Sequence, residues 1–122
     1  MSTYTPAQTV DRTGFSIETL RYYERVGLLR DVPRDGAGHR AFTDEHLSWL
    51  KILRCLRDTG MPIVQMQRYV ELAVHDGPIP ARLELLEQHD DTVTRQIAEL
   101  RRWQKHLREK IAGYQRQMAQ EG

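Results

Sequence analysis

Cysteine is almost missing from this sequence, Cys55 being the only one. That excludes an intrachain disulfide framework and leaves no thiolate pair for a structural zinc site. The histidines, His39, His46, His75, His89 and His106, never stand three or four residues apart, so no helix can turn two of them toward one ion. No metal and no cofactor is expected. An excess of charge of one sign is lacking as well: 18 basic against 17 acidic residues leave a net charge of +1, a weak electrostatic footprint by itself. No apolar run approaches the ~20 residues that cross a bilayer. Residues Met1 to Pro6 lack the basic and apolar stretches of a secretory signal. A cytoplasmic protein without a membrane partner is expected. At 122 residues the chain provides for one small domain and an appendage, too little for a large catalytic core. It also has no nucleophile elbow, phosphate loop or telling acid/base pair, and an enzyme is not expected.

What is present is arginine, 15 of the 18 basic residues. Its planar fork matches phosphate oxygens and guanine edges, although coiled-coil surfaces use it too. Thr5 followed by Pro6 is a helix start, with Ala7 and Val10 turned inward, and Gly14 stops it. Phe15 can staple the junction, and Ser16 caps a second helix running to about Val26. On that helix Ile17, Leu20 and Tyr23 share one face, while Glu18, Arg21, Tyr22 and Arg25 share the other. Two short helices joined by a glycine turn make a helix-turn-helix candidate.

From Gly27 the helical period ends. Leu28 to Pro33, the turn residues Asp35-Gly36-Ala37-Gly38, and His39 to Phe42 suggest a small hairpin or wing. Thr43 caps a third helix that Gly60 stops, and Pro62 starts a fourth that ends near Asp76-Gly77-Pro78. The head therefore spans residues 4–74. Beyond it, residues 79–120 form a single helix of about 60 Å at 1.5 Å per residue. Ile79, Leu83, Leu86, Asp90, Val93, Ile97, Leu100, Gln104, Leu107, Ile111, Tyr114 and Met118 step by four and three without a slip, a heptad seam with only Asp90 and Gln104 polar. A lone helix cannot bury such a stripe, so a homodimer is expected, parallel or antiparallel. The fold class is mainly α: a winged helix-turn-helix head followed by a long coiled-coil dimerisation helix.

The segment Thr19-Leu20-Arg21-Tyr22-Tyr23-Glu24-Arg25-Val26-Gly27-Leu28-Leu29 resembles the recognition helix of the MerR family of transcriptional regulators. The resemblance continues through Gly38-His39-Arg40 and through Leu53-Arg54-Cys55-Leu56-Arg57-Asp58-Thr59-Gly60-Met61-Pro62-Ile63, in the family's order and spacing. It implies an antiparallel coiled-coil dimer whose two heads meet a pseudo-palindromic promoter in double-stranded DNA. It also implies bending and untwisting of the promoter spacer so that RNA polymerase aligns with both promoter elements, in response to a small-molecule effector. Ala41 and Phe42 stand where relatives often carry aromatic residues with a tyrosine hydroxyl, so the resemblance implies one phosphate hydrogen bond fewer. A drug-binding domain after the long helix is not expected, nor is metal sensing, because no cysteine pair lies near the end of that helix. The single Cys55 is similar to that of the aldehyde-responsive, AdhR-like branch of the family.

The residues expected at DNA follow from that motif. Arg21 and Arg25 read guanine or grip phosphate, and the Tyr22 hydroxyl bonds phosphate. Tyr23 either does likewise or belongs to the core. Ser16 can add a phosphate site at the helix start, or simply cap it. Arg40 on the wing is a phosphate or minor-groove candidate and Arg34 a second, with solubility as its plain alternative. Cys55, with Lys51 one turn before it and Arg54 beside it, is either a sensor thiol or a small packed hydrophobe. Trp49 and Trp103 read as packing residues. The competing function is a coiled-coil adaptor without operator specificity.

Overall fold

The computed structural model describes residues 2–121 and resolves them into two compact units, divided between Arg82 and Leu83. The first holds a short strand β1 (Thr3–Tyr4), helices α1 (Pro6–Thr13) and α2 (Ile17–Arg25), strand β2 (Phe42–Thr43), and helices α3 (Asp44–Asp58) and α4 (Ile63–Val74). Helix α5 (Ile79–Glu121) starts there and makes up the second unit. The division thus falls one turn inside the long helix rather than before it, and Arg82 closes that turn by donating from Nη2 to the Gly77 carbonyl at 2.9 Å.

Three helices of the head, α1, α2 and α3, start on a side chain that satisfies an open amide, whereas α4 starts after Pro62 without one. Thr5 and Gln8 cap α1 reciprocally: the Gln8 amide donates to Thr5 Oγ1 at 3.1 Å, and the Thr5 amide to Gln8 Oε1 at 2.9 Å. The same device opens α3 with a histidine in the third position. There the Thr43 amide donates to His46 Nδ1 at 3.0 Å, which leaves Nε2 as the protonated nitrogen, facing the Arg30 carbonyl at 3.2 Å. β1 pairs antiparallel with β2, Thr3 opposite Thr43 and Tyr4 opposite Phe42. The Tyr4 hydroxyl then donates to Asp44 Oδ1 at 2.7 Å, a bond to a carboxylate that holds the phenol above its ordinary range.

The core gathers Phe15, Leu20, Tyr23, Leu28, Leu29, Phe42, Leu50, Leu53, Leu56, Met61, Met66 and Val70, drawn from every helix of the head except α1. From α1 it is Thr9 that is fully buried, while Ala7 is exposed and Val10 half-buried. The expectation that Ala7 points inward is corrected, because α1 packs on α3 through another face, and a local bond makes the burial of Thr9 tolerable. Thr9 Oγ1 donates to the Thr5 carbonyl at 2.9 Å, so its hydroxyl is satisfied within the helix and its methyl can pack. Ile17 likewise lies exposed rather than alongside Leu20 and Tyr23, because it sits in the first turn of α2, ahead of the packed segment. Trp49 packs face to face on Tyr69, rings 5.8 Å apart, and its indole N–H donates to the Leu28 carbonyl at 2.8 Å.

α5 has no buried residue. Leu100, Leu107 and Met118 are 68%, 59% and 71% exposed, and Trp103, expected to pack, is 61% exposed. No helix among the described residues is long and apolar enough to cross a membrane.

Candidate nucleic-acid interface

The turn between α1 and α2 is built from Thr13, Gly14 and Phe15. Gly14 adopts φ 77°, a left-handed conformation that closes α1 through its amide bond to the Val10 carbonyl at 2.8 Å. Phe15 is buried and meets the Tyr23 ring edge-on at 5.3 Å, which packs the turn against α2. Ser16 spends its hydroxyl on capping: Oγ accepts from the Thr19 amide at 3.1 Å and shares a bond with Thr19 Oγ1 at 2.9 Å.

With Leu20 and Tyr23 held inside, the helical period puts Glu18, Arg21, Tyr22 and Arg25 outside. Tyr22 is 40% exposed, and the Arg25 guanidinium lies over its ring at 5.6 Å from the centroid, so these two side chains form one surface. Tyr23 does not join them. It is buried and its hydroxyl pKa is raised by that burial, so of the two roles open to it the geometry supports the core.

The wing is a hairpin with Arg34 bridged to Arg40. The Asp35 amide donates to the His39 carbonyl at 2.8 Å, and the Ala41 amide to the Pro33 carbonyl at 2.9 Å. Asp35 organises the tip: one carboxylate oxygen accepts from the Ala37 and His39 amides, each at 2.9 Å, and these bonds hold its pKa below the ordinary carboxylate range. Arg34 Nη1 donates to the Gly38 carbonyl at 3.3 Å and remains exposed. Arg40 is turned inward instead, its Nε donating to Glu24 Oε1 at 2.6 Å with about a quarter of each side chain exposed. Its first role is therefore to tie the wing to α2. Glu24 escaped the sequence reading; a carboxylate inside an arginine-rich motif could have signalled it. Phe42 is fully buried and meets the His46 ring of α3 edge-on.

Cys55 lies apart from this surface on α3 and is exposed, so within one chain it is not the packed hydrophobe that was one of its two readings. Among the described residues no three His, Cys, Asp or Glu side chains converge on a common point.

The family model for MerR HTH regulatory proteins matches residues 4–72, and a second, for MerR DNA binding, matches residues 47–110. An uncharacterized HTH-type transcriptional regulator of Haemophilus influenzae is 43% identical over 118 residues, covering 96% of this chain and 87% of that protein. The HTH-type transcriptional regulator AdhR of Bacillus subtilis is 36% identical over 81 residues, 66% of this chain and 58% of AdhR. Among solved structures, HiNmlR, a MerR family regulator lacking the sensor domain and bound to promoter DNA, matches with a TM-score of 0.87 at 42% identity, over 97% of this chain and 94% of that one. A MerR family regulator from Bacillus thuringiensis matches with a TM-score of 0.82 at 31% identity, over 91% and 98% of the two chains.

Proposed function

Because the chain belongs to the MerR family of DNA-binding transcriptional regulators, we propose that it works as a homodimer on a pseudo-palindromic promoter, with Arg21, Tyr22 and Arg25 of α2 entering the major groove. The single observation that carries this is the surface of α2: two arginines and a tyrosine face outward on a helix whose opposite face is locked in the core. Arg34 at the wing reaches phosphate, and Ser16 serves as a cap.

The dimer is supported by the bare seam of α5 and by the distribution of its charge. Residues 79–100 carry Glu84, Glu87, Asp90, Asp91 and Glu99 against Arg82 and Arg95. Residues 101–121 carry Arg101, Arg102, Lys105, Arg108, Lys110 and Arg116 against Glu109 and Glu121. An antiparallel pair sets the acidic half on the basic half, whereas a parallel pair sets like on like. Centring the pair between Ile97 and Leu100 faces every seam residue with another, from Ile79 opposite Met118 to Val93 opposite Gln104. Two heads so joined distort the spacer between half-sites, which aligns the promoter for RNA polymerase. The exposed thiol of Cys55 and the likeness to AdhR support a thiol that responds to an aldehyde or another electrophile as the effector.

The test is binding to the DNA upstream of the chain's own gene, measured against scrambled DNA over a range of salt. Operator preference with a steep salt slope is expected. Arg21→Ala costs about 1–3 kcal/mol of binding and leaves the dimer intact by sedimentation. Equal affinity for both DNAs favours an adaptor built on the coiled coil.

A further inference from the structure

The motif Leu53-Arg54-Cys55-Leu56-Arg57-Asp58 on α3 carries a cluster that the proposed contact surface does not use. Arg54 Nη1 donates to the Thr13 carbonyl at 2.6 Å, at the negative end of α1 and one residue before the turn glycine. Its Nε is held by Asp58 Oδ2 at 3.2 Å. The other oxygen of Asp58 accepts from Arg57 Nε at 2.9 Å, and the Arg57 guanidinium lies over the Phe15 ring at 4.6 Å. Both residues flanking Gly14 are thus gripped from α3, and the Arg54 guanidinium occupies the place where a Cβ on Gly14 would stand.

The geometry points to Arg54 as a positioning residue for DNA recognition, setting the angle at which α2 leaves the turn. This rests on the reading of α2 as the helix that enters the groove. Arg54, Arg57 and Asp58 are each 40–49% exposed, so the ion pairs contribute little to folding. What Arg54 supplies is direction. The planar guanidinium sets its donors at fixed angles, so the Nε bond to Asp58 on α3 aims Nη1 at the Thr13 carbonyl and ties the end of α1 to α3. A small tilt at the turn is carried along α2 to Arg25, where base and phosphate contacts must register together.

The experiment compares Arg54→Met and Arg54→Lys with the parent full-length chain, for binding to the upstream DNA and to scrambled DNA, below the melting temperature of every variant. Arg54→Met is expected to weaken operator binding about tenfold while changing affinity for scrambled DNA less than twofold, so the preference falls and the salt slope stays. Arg54→Lys, which retains one donor, restores part of the preference. A salt slope lowered by about one phosphate overturns the inference and makes Arg54 a direct contact. Parental operator preference in folded Arg54→Met also overturns it and leaves Arg54 a stabiliser only. If Arg54→Met does not fold, Asp58→Asn, which removes the anchor of Arg54 and leaves the arginine, carries the same test, with a smaller loss of preference expected and none overturning the inference. Should the parent itself show no operator preference, the DNA-binding reading fails, and the positioning role with it.

Discussion

Glu24 of α2 and Arg40 of the wing meet at 2.6 Å across sixteen residues of chain, and this pair joins the two parts of the head proposed to face DNA. Half-buried charges resist screening better than surface pairs, and truncating either partner leaves the other without its counter-charge. A double-mutant cycle of Glu24→Ala and Arg40→Ala is expected to give a coupling of about 1 kcal/mol in chemical denaturation. Both single variants should also bind operator more weakly, because the wing is then free to swing away from α2. Additive behaviour within error would mean that the two side chains stand together without supporting each other.

Gly14→Ala should destabilise the head by about 1–2 kcal/mol, the usual cost of forcing an L-residue into a left-handed conformation. The added methyl must also push the Arg54 guanidinium off the Thr13 carbonyl. Operator preference should therefore fall even where the protein stays folded, which thermal melts and binding curves on the same samples will show.

Asp35 gives the wing a pH dependence of definite sign. Its folded pKa is depressed by the backbone amides of His39 and Ala37, so its contribution is present above the unfolded carboxylate value of about 3.9 and is lost as pH falls through the lowered folded value. In a pH series, the Ala37 and His39 amide resonances should shift together with a midpoint below 3.8. Asp35→Asn should abolish that titration.

The seam of α5 predicts how assembly fails. Leu100→Glu places a carboxylate where two copies are proposed to meet near the centre, and should give a monomer by sedimentation whose operator affinity is roughly 100-fold weaker, since two tethered heads gain from effective concentration. Asp90→Leu should act in the opposite direction, replacing a polar seam residue and raising the melting temperature of the dimer.

Much of the head could be read in the sequence because its boundaries are made by short-range chemistry. Thr5-Pro6, Gly14, Ser16, Thr43, Gly60 and Pro62 mark ends that each depend on a residue or two. The unbroken heptad steps identify α5 for the same reason. What stayed hidden depends on residues far apart in the chain. The β1–β2 pairing joins Thr3 to Thr43, and neither two-residue strand has a period to detect. The burial of Thr9 in place of Ala7 follows from where α3 lies, and hydrophobicity alone assigns it wrongly. The candidate contacts separate along the same line. Arg21, Tyr22 and Arg25 are placed by helical spacing alone, whereas the inward turn of Arg40 needs Glu24 from another element.

By itself α5 has no buried residue. In the dimer proposed here, at copy numbers below the dissociation constant of the pair, two-headed molecules accumulate with the square of the chain concentration, so a doubling of synthesis gives a roughly fourfold rise in the species that can span both half-sites. The bare stripe of α5 would then impose a threshold on gene control, answering to how much protein the cell makes as well as to any chemical signal it meets.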